Sequence, residues 1–311
     1  MKAQILATAT LLAVFSGALP AADPRLLGLV MPDATVLADV NVAQAKASPF
    51  GQYVLTTLLQ SEAQKLQQLA TLTGFDPRQD VNELLVASAS TPGNKTGLAL
   101  ALGTFDPTKI TAAAQLAGAG IETYGGMSII EDPQQRNGFV FLDSTLVVAG
   151  DLASVKAAID RRAGGPTIPA ALLAQVNQLS STEDAWAIST VPPSTLRPPA
   201  AAPPAAGVNV RNALQTIQSA SGGVKFGSVV VVTAQAQTDT PQDASSLGGV
   251  LQLLVSMAQL SASQHPEAGA LAQSLVVTTQ GSTVTVTLSV PEAQIQQLVK
   301  PKAAARNVVQ M

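Results

Sequence analysis

The stretch "FVFLDSTLVVAGDLASVKAAID", residues 139–160, decides the fold class. Two apolar runs, Phe139 to Leu142 and Leu146 to Ala149, flank Asp143-Ser144 and predict a β-hairpin. Asp151 follows as the N-cap of a helix that ends at Gly164-Gly165, with Arg161 and Arg162 in its last turn, where cations favour the negative helix end. The same order returns in "VVTTQGSTVTVTLSVPEAQIQQ", residues 276–297, where Gln280-Gly281 makes the turn and Pro291 opens the helix. A hairpin closed by a helix, met twice, predicts an α+β protein: antiparallel sheets with helices packed on them, in two similar lobes from a ββα-type duplication.

Outward from the first hairpin, Gly125-Gly126 joins a second strand pair, Ile121 to Tyr124 and Met127 to Ile130. "GFDPRQDV" (74–81) and "GTFDPTKI" (103–110) each place Asp as N-cap before Pro at the first helical position, a device for helix starts that requires no chemistry. Strands are expected at Asp33 to Val42, Leu84 to Ala89, Leu98 to Leu102 and Asp184 to Thr190. A long helix is expected from Ser48 to Gly74, its stripe of Phe50, Val54, Leu55, Leu58, Leu59, Leu66 and Leu69 facing a core. A shorter one is expected at Ala170 to Leu179. Later in the chain, a short helix near Val210 to Ala220 and one long strand, "VKFGSVVVVTAQAQ" (224–237), precede a helix that starts at Thr240-Pro241, with Asp243 in capping-box position.

The first 22 residues have the layout of a secretory signal peptide: Lys2, an apolar stretch to Leu19, and small residues around Pro20-Ala21-Ala22. The stretch is short for a membrane span, so a cleaved leader is expected, leaving no stable membrane anchor. The expected organisation is then a first α+β lobe over 23–165, a second over 166–300 with a Pro-rich loop at 192–207, and a flexible tail at 301–311. Export to the periplasm or the extracellular space follows. With no cysteine, no disulfide can brace the chain, so stability rests on burial.

Composition narrows the partners. Hydrophobic residues are 47% and charged residues only 12%, while 17 Lys and Arg face 20 Asp and Glu. That balance offers no basic surface for phosphates, and nucleic acid is not expected as a partner. Aromatics at 3% argue against a sugar-stacking cleft.

The chemistry is equally bounded. The single histidine, His265, has no second imidazole or thiolate to share a zinc site, and its neighbours suggest no triad. No G-x-S-x-G elbow, Walker loop or S-x-x-K occurs; the Gly-rich "GAGIETYGG" (118–126) follows a helix and precedes a strand, the wrong order for a phosphate loop. Glu131-Asp132, Glu183-Asp184, Asp143 and Asp151 read as turn and cap carboxylates. No catalytic set, cofactor or metal is expected. The remaining candidate is apolar: on the 247–260 helix, Leu247, Leu251, Leu254, Val255 and Met257, with Val250, Ala258 and Leu260, cover enough of the surface either to be buried nearly all round or to line an apolar groove.

"MPDATVLADVNVAQAKASPFGQ" (31–52), "GFDPRQDV" and "AGDLASVKAAIDRR" (149–162) together resemble uncharacterised exported bacterial α+β proteins with duplicated lobes. The resemblance implies a cell-envelope setting and brings no functional residues. Three readings stay open: a non-enzymatic exported protein acting through contacts with a protein partner, a carrier of an apolar small molecule or lipid, and a carboxylate-dependent hydrolase.

Overall fold

The computed structural model describes residues 22–91, 94–132, 134, 136–192, 214–260 and 266–299. The expected leader up to Ala21, most of the Pro-rich loop, His265 and the expected tail lie outside them. Helices are α1 (Pro24–Leu27), α2 (Val42–Ala47), α3 (Pro49–Leu59), α4 (Ala63–Thr73), α5 (Pro77–Asp80), α6 (Pro107–Leu116), α7 (Leu152–Arg161), α8 (Ala170–Thr182), α9 (Pro241–Leu260), α10 (Pro266–Gln273) and α11 (Glu292–Val299). Strands are β1 (Val36–Asn41), β2 (Val81–Thr91), β3 (Asn94–Gly103), β4 (Gly120–Tyr124), β5 (Met127–Asp132), β6 (Asn137–Phe141), β7 (Leu146–Asp151), β8 (Ala185–Ser189), β9 (Ile217–Lys225), β10 (Val229–Thr238), β11 (Leu275–Gln280) and β12 (Thr283–Pro291).

The strands form one antiparallel sheet of 12, in the order β11-β12-β10-β9-β8-β1-β2-β3-β7-β6-β5-β4. The protein is therefore α+β, and its halves meet where β1 pairs with β8. Outward from that seam the strands run β1-β2-β3-β7-β6 on one side and β8-β9-β10-β12-β11 on the other, the same chain order in each. The two quoted hairpins occupy equivalent places, and β4–β5 is an extra hairpin of the first half.

Local signals explain the element starts. Ser48, Asp106 and Asp151 accept hydrogen bonds from the backbone amides of Gly51, Lys109 and Ser154, the N-cap geometry that satisfies an otherwise orphan donor. Thr240 and Asp243 form the capping box, Asp243 N–H donating to Thr240 Oγ1 at 3.1 Å. Gly125, Gly126 and Gly281 have φ of 55, 77 and 55°, the left-handed values that tight hairpin turns require.

Because partners across a ladder project to the same side and successive residues to opposite sides, register sorts the side chains onto two faces. One face is closed over the first half: Leu37, Leu85, Leu98, Leu100, Val140 and Val148 are buried there beneath α1, α7 and α8, and Trp186 and Ile188 extend the cluster to β8. Ala22, the last residue of the expected leader, packs in this core at 5% exposure. Over the second half the same face is mostly polar, presenting Thr233, Gln235, Thr285, Thr287 and Thr278, with Val231 and the exposed Val229 and Val276 among them.

Three expectations are corrected. Residues 217–220, expected as helix, belong to β9; "IQSASGGVK" lacks helical periodicity and is a strand because β8 and β10 pair with it on both sides. Residues 224–237 are the end of β9, a turn and β10, which fold back on each other as an antiparallel pair from Lys225↔Val231 onward. The long helix breaks at a 3-10 turn, Gln60–Glu62, where consecutive polar residues give nothing to pack, and its apolar stripe is only half-buried.

Candidate functional site

The apolar helix foreseen in the sequence is α9, and it is not buried all round. Ala244, Leu247 and Gly248 are buried against the sheet, whereas Leu253, Met257 and Leu260 are 46, 38 and 83% exposed. Leu247 belongs to a small core with Ile217, Ala244 and Val284. At Gly248 the helix lies so close that a Cβ there would sit 2.5 Å from Thr279 Oγ1. One turn further on the contact opens into a groove of about 410 Å3.

Leu251, Leu254, Val255 and Ala258 of α9 form one wall, Leu271 and Ala272 of α10 the second, and Leu275, Val277, Val286 and Leu288 the floor. Gln259 Nε2 donates to the Ala272 carbonyl at 3.0 Å and ties the two helices together. Every lining residue is apolar, so the groove offers no side chain to a polar group. Of the five foreseen residues, Leu251, Leu254 and Val255 line it, Leu247 lies in the adjoining core and Met257 faces away. The strand contributions were missed, although the alternation in "TVTVTLSV" already marked Val284, Val286 and Leu288 as one face.

The floor belongs to a larger surface. Following register from strand to strand, Val277, Val286, Ala234, Gly222, Ala187 and Ala38 stand in one row, which Val86, Ala99, Ala149, Phe139, Ile130 and Ile121 continue to the far edge. No side chain in this row across all 12 strands is polar. A parallel row, from Leu275 and Leu288 through Val232, Val224, Ala185 and Val40 to Phe141, is apolar as well. Yet the face is not closed: Val86 and Val232 are 43 and 36% exposed, and Ala187 and Ala234 are exposed. Over the first half it borders a second concavity, of about 1020 Å3, beside Ala114 and Ala117 at the end of α6, a helix with no buried residue; its lining mixes Val86, Ala99 and Phe139 with Glu131, Asp132, Gln134, Asn137 and Asp151. Exposed apolar surface of this continuity is normally an interaction site.

The titratable groups lie elsewhere. Asp39, on the closed face, is 4% exposed, and its Oδ1 has no hydrogen-bond partner. Burial, aided by the charge of Glu83, pushes its pKa up to about 8, so it is protonated at neutral pH. Trp186, its cross-strand partner on β8, has an equally unpartnered buried Nε1. Glu83, also raised by burial, accepts from the Asp23 amide at 3.0 Å. Asp151 and Asp143 serve as cap and turn carboxylates, accepting from the amides of Ser154 and Thr145. Glu131-Asp132 and Glu183-Asp184 lie at strand ends, and among the described residues no three His, Asp or Glu side chains converge. Among those residues, too, no helix is long and apolar enough to cross a membrane.

No family model and no curated protein matches the chain. Among solved structures, crystal form III of the bacterial protein TP0453 is similar at a TM-score of 0.55 and 8% identity, over 89% of this chain and 97% of that one. Crystal forms IV and I are similar at TM-scores of 0.53 and 0.50, each with 10% identity, over 90 and 89% of this chain and 97 and 96% of TP0453. At that identity the chain is similar to TP0453 in fold alone.

Proposed function

We propose that this protein is a non-catalytic carrier of an apolar small molecule or lipid, which it holds beneath α9 in the cell envelope. The observation that supports this most is the groove of about 410 Å3 lined only by apolar side chains. A void of that kind in the core would cost stability, since its lining forfeits packing contacts on one side. A hydrocarbon ligand restores those contacts. The expected leader supports the envelope setting, where an apolar molecule must cross water between membranes.

A fluorescent fatty acid titrated into the purified protein tests the reading. Each buried methylene contributes about 0.8 kcal/mol, so affinity should rise about fourfold per added carbon until the groove is full. Leu254→Asp, at a half-buried lining position, is expected to weaken binding at least tenfold, and Leu253→Asp, exposed on the same helix, to leave it unchanged. Equal affinity for both variants and the parent, or no dependence on chain length, would refute the carrier.

A second reading, contact with a protein partner, draws on Leu72 of α4 and Leu116 of α6, which are 72 and 90% exposed. Crosslinking in the native envelope, compared with a Leu72→Ser/Leu116→Ser variant, separates it from ligand carriage: a partner lost only in the variant supports it.

A further inference from the structure

The groove beneath α9 and the concavity beside α6 open on the same face of one sheet, and the apolar row runs unbroken between them. The stretch between them is lined by small side chains, Ala234, Gly222, Ala187 and Ala38, and its middle is open to solvent at Ala187. The seam between β8 and β1 lies midway: β12, which floors the α9 groove, and β7, which floors the α6 concavity, are each the fourth strand out from it. At about 4.8 Å per strand, each lies about 17 Å away.

We propose that this face binds one two-chain lipid, its headgroup in water over the β8–β1 seam, one chain running beneath α9 and the other toward α6. The proposal rests on the apolar-ligand reading and extends it from one groove to the whole face. Three features select the occupant. The two rows contain no hydrogen-bonding side chain, so what lies along them is hydrocarbon. β9, β8 and β1 are paired on both sides, so no backbone amide is left for an added peptide strand. A partner helix, about 10–12 Å across, fits the open middle but is too thick to continue between α9 and the sheet, whereas an acyl chain can. The rows carry no charge, and Glu131, Asp132 and Asp151, which also line the α6 concavity, lie four or more strands out from the seam, so the headgroup is not selected by sign.

The test compares two probes on the full chain: a labelled single-chain fatty acid, and a phosphatidylcholine labelled on one acyl chain. Ala187→Lys places a charge on the exposed middle of the floor, and Ala234→Lys does so one strand beyond β9, both at exposed positions where the fold tolerates a lysine. The expected result is that the parent binds both probes, while Ala187→Lys weakens the two-chain lipid at least tenfold and leaves the fatty acid within twofold, and Ala234→Lys, paired with Val286 of the groove floor, weakens both. Unchanged binding of the two-chain lipid by both variants overturns the proposal, because the ligand then does not cross the seam. A parent that binds the fatty acid but not the two-chain lipid also overturns it and leaves the single-groove carrier standing. A parent that binds neither removes the carrier itself. An unchanged thermal transition in the two variants confirms that ligand crossing is what was read.

Discussion

The β6–β7 and β11–β12 hairpins hold equivalent places in the two halves of the sheet, yet only the first is packed beneath a helix on the closed face. In β6–β7 the residues on that face are apolar, Val140 and Val148 among them, and α7 lies over them. In β11–β12 the matching face presents Thr278, Thr285 and Thr287, and α11 leaves the hairpin to meet α3, with the Phe50 amide donating to Glu292. A helix follows the apolar face, and threonines give it nothing to hold. The opposite face breaks this rule, carrying two apolar rows across the strands while its middle stays open. Closed apolar surface is core, and polar surface is solvated. Apolar surface left open marks an interaction surface, which the proposal fills with a ligand.

The contrast can be broken first at its closed side. Leu100, with no exposure, is expected to lose about 2–5 kcal/mol as Leu100→Ala, whereas Val86→Ala on the open face should cost less than about 1 kcal/mol, both read by urea denaturation. Similar losses at the two positions would mean that the open face is packed in solution.

A smaller effect sharpens the closed face from within. The pKa of Asp39 is raised by folding, so the stability linked to its proton is fully present below the unfolded value near 3.8 and is lost as pH rises toward about 8. Between about pH 5 and 7 the slope approaches 1.4 kcal/mol per pH unit. Asp39→Asn should flatten that slope and make the protein more stable than the parent at pH 8. A parent whose stability rises over this range would show that Asp39 is ionised in the fold.

Much of the architecture was legible because its signals are local. Asp106, Asp151 and the Thr240–Asp243 pair cap where sequence places them, and the glycines at 125, 126 and 281 turn where the hairpins need positive φ. β9 was not legible, since "IQSASGGVK" carries no apolar alternation and is made a strand by its neighbours. Half the site could be read for the same reason. Leu251, Leu254 and Val255 repeat at helical spacing, whereas Ala38, Ala187 and Gly222 lie far apart in the chain, and only register aligns them. Asp39 passed as one more polar residue of an alternating strand because burial is set by what packs above it.

The absence of cysteine makes the most direct measurement simple, because a single introduced thiol is the sole labelling site. An environment-sensitive dye on Ala187→Cys, mid-floor on the open face, is compared with the same dye on Thr278→Cys, exposed on the polar face, as phosphatidylcholine is added. A saturable blue shift at position 187 with none at 278 is the expected result. Equal shifts at both positions, or none at 187, would contradict the claim that this open apolar face is where the ligand lies.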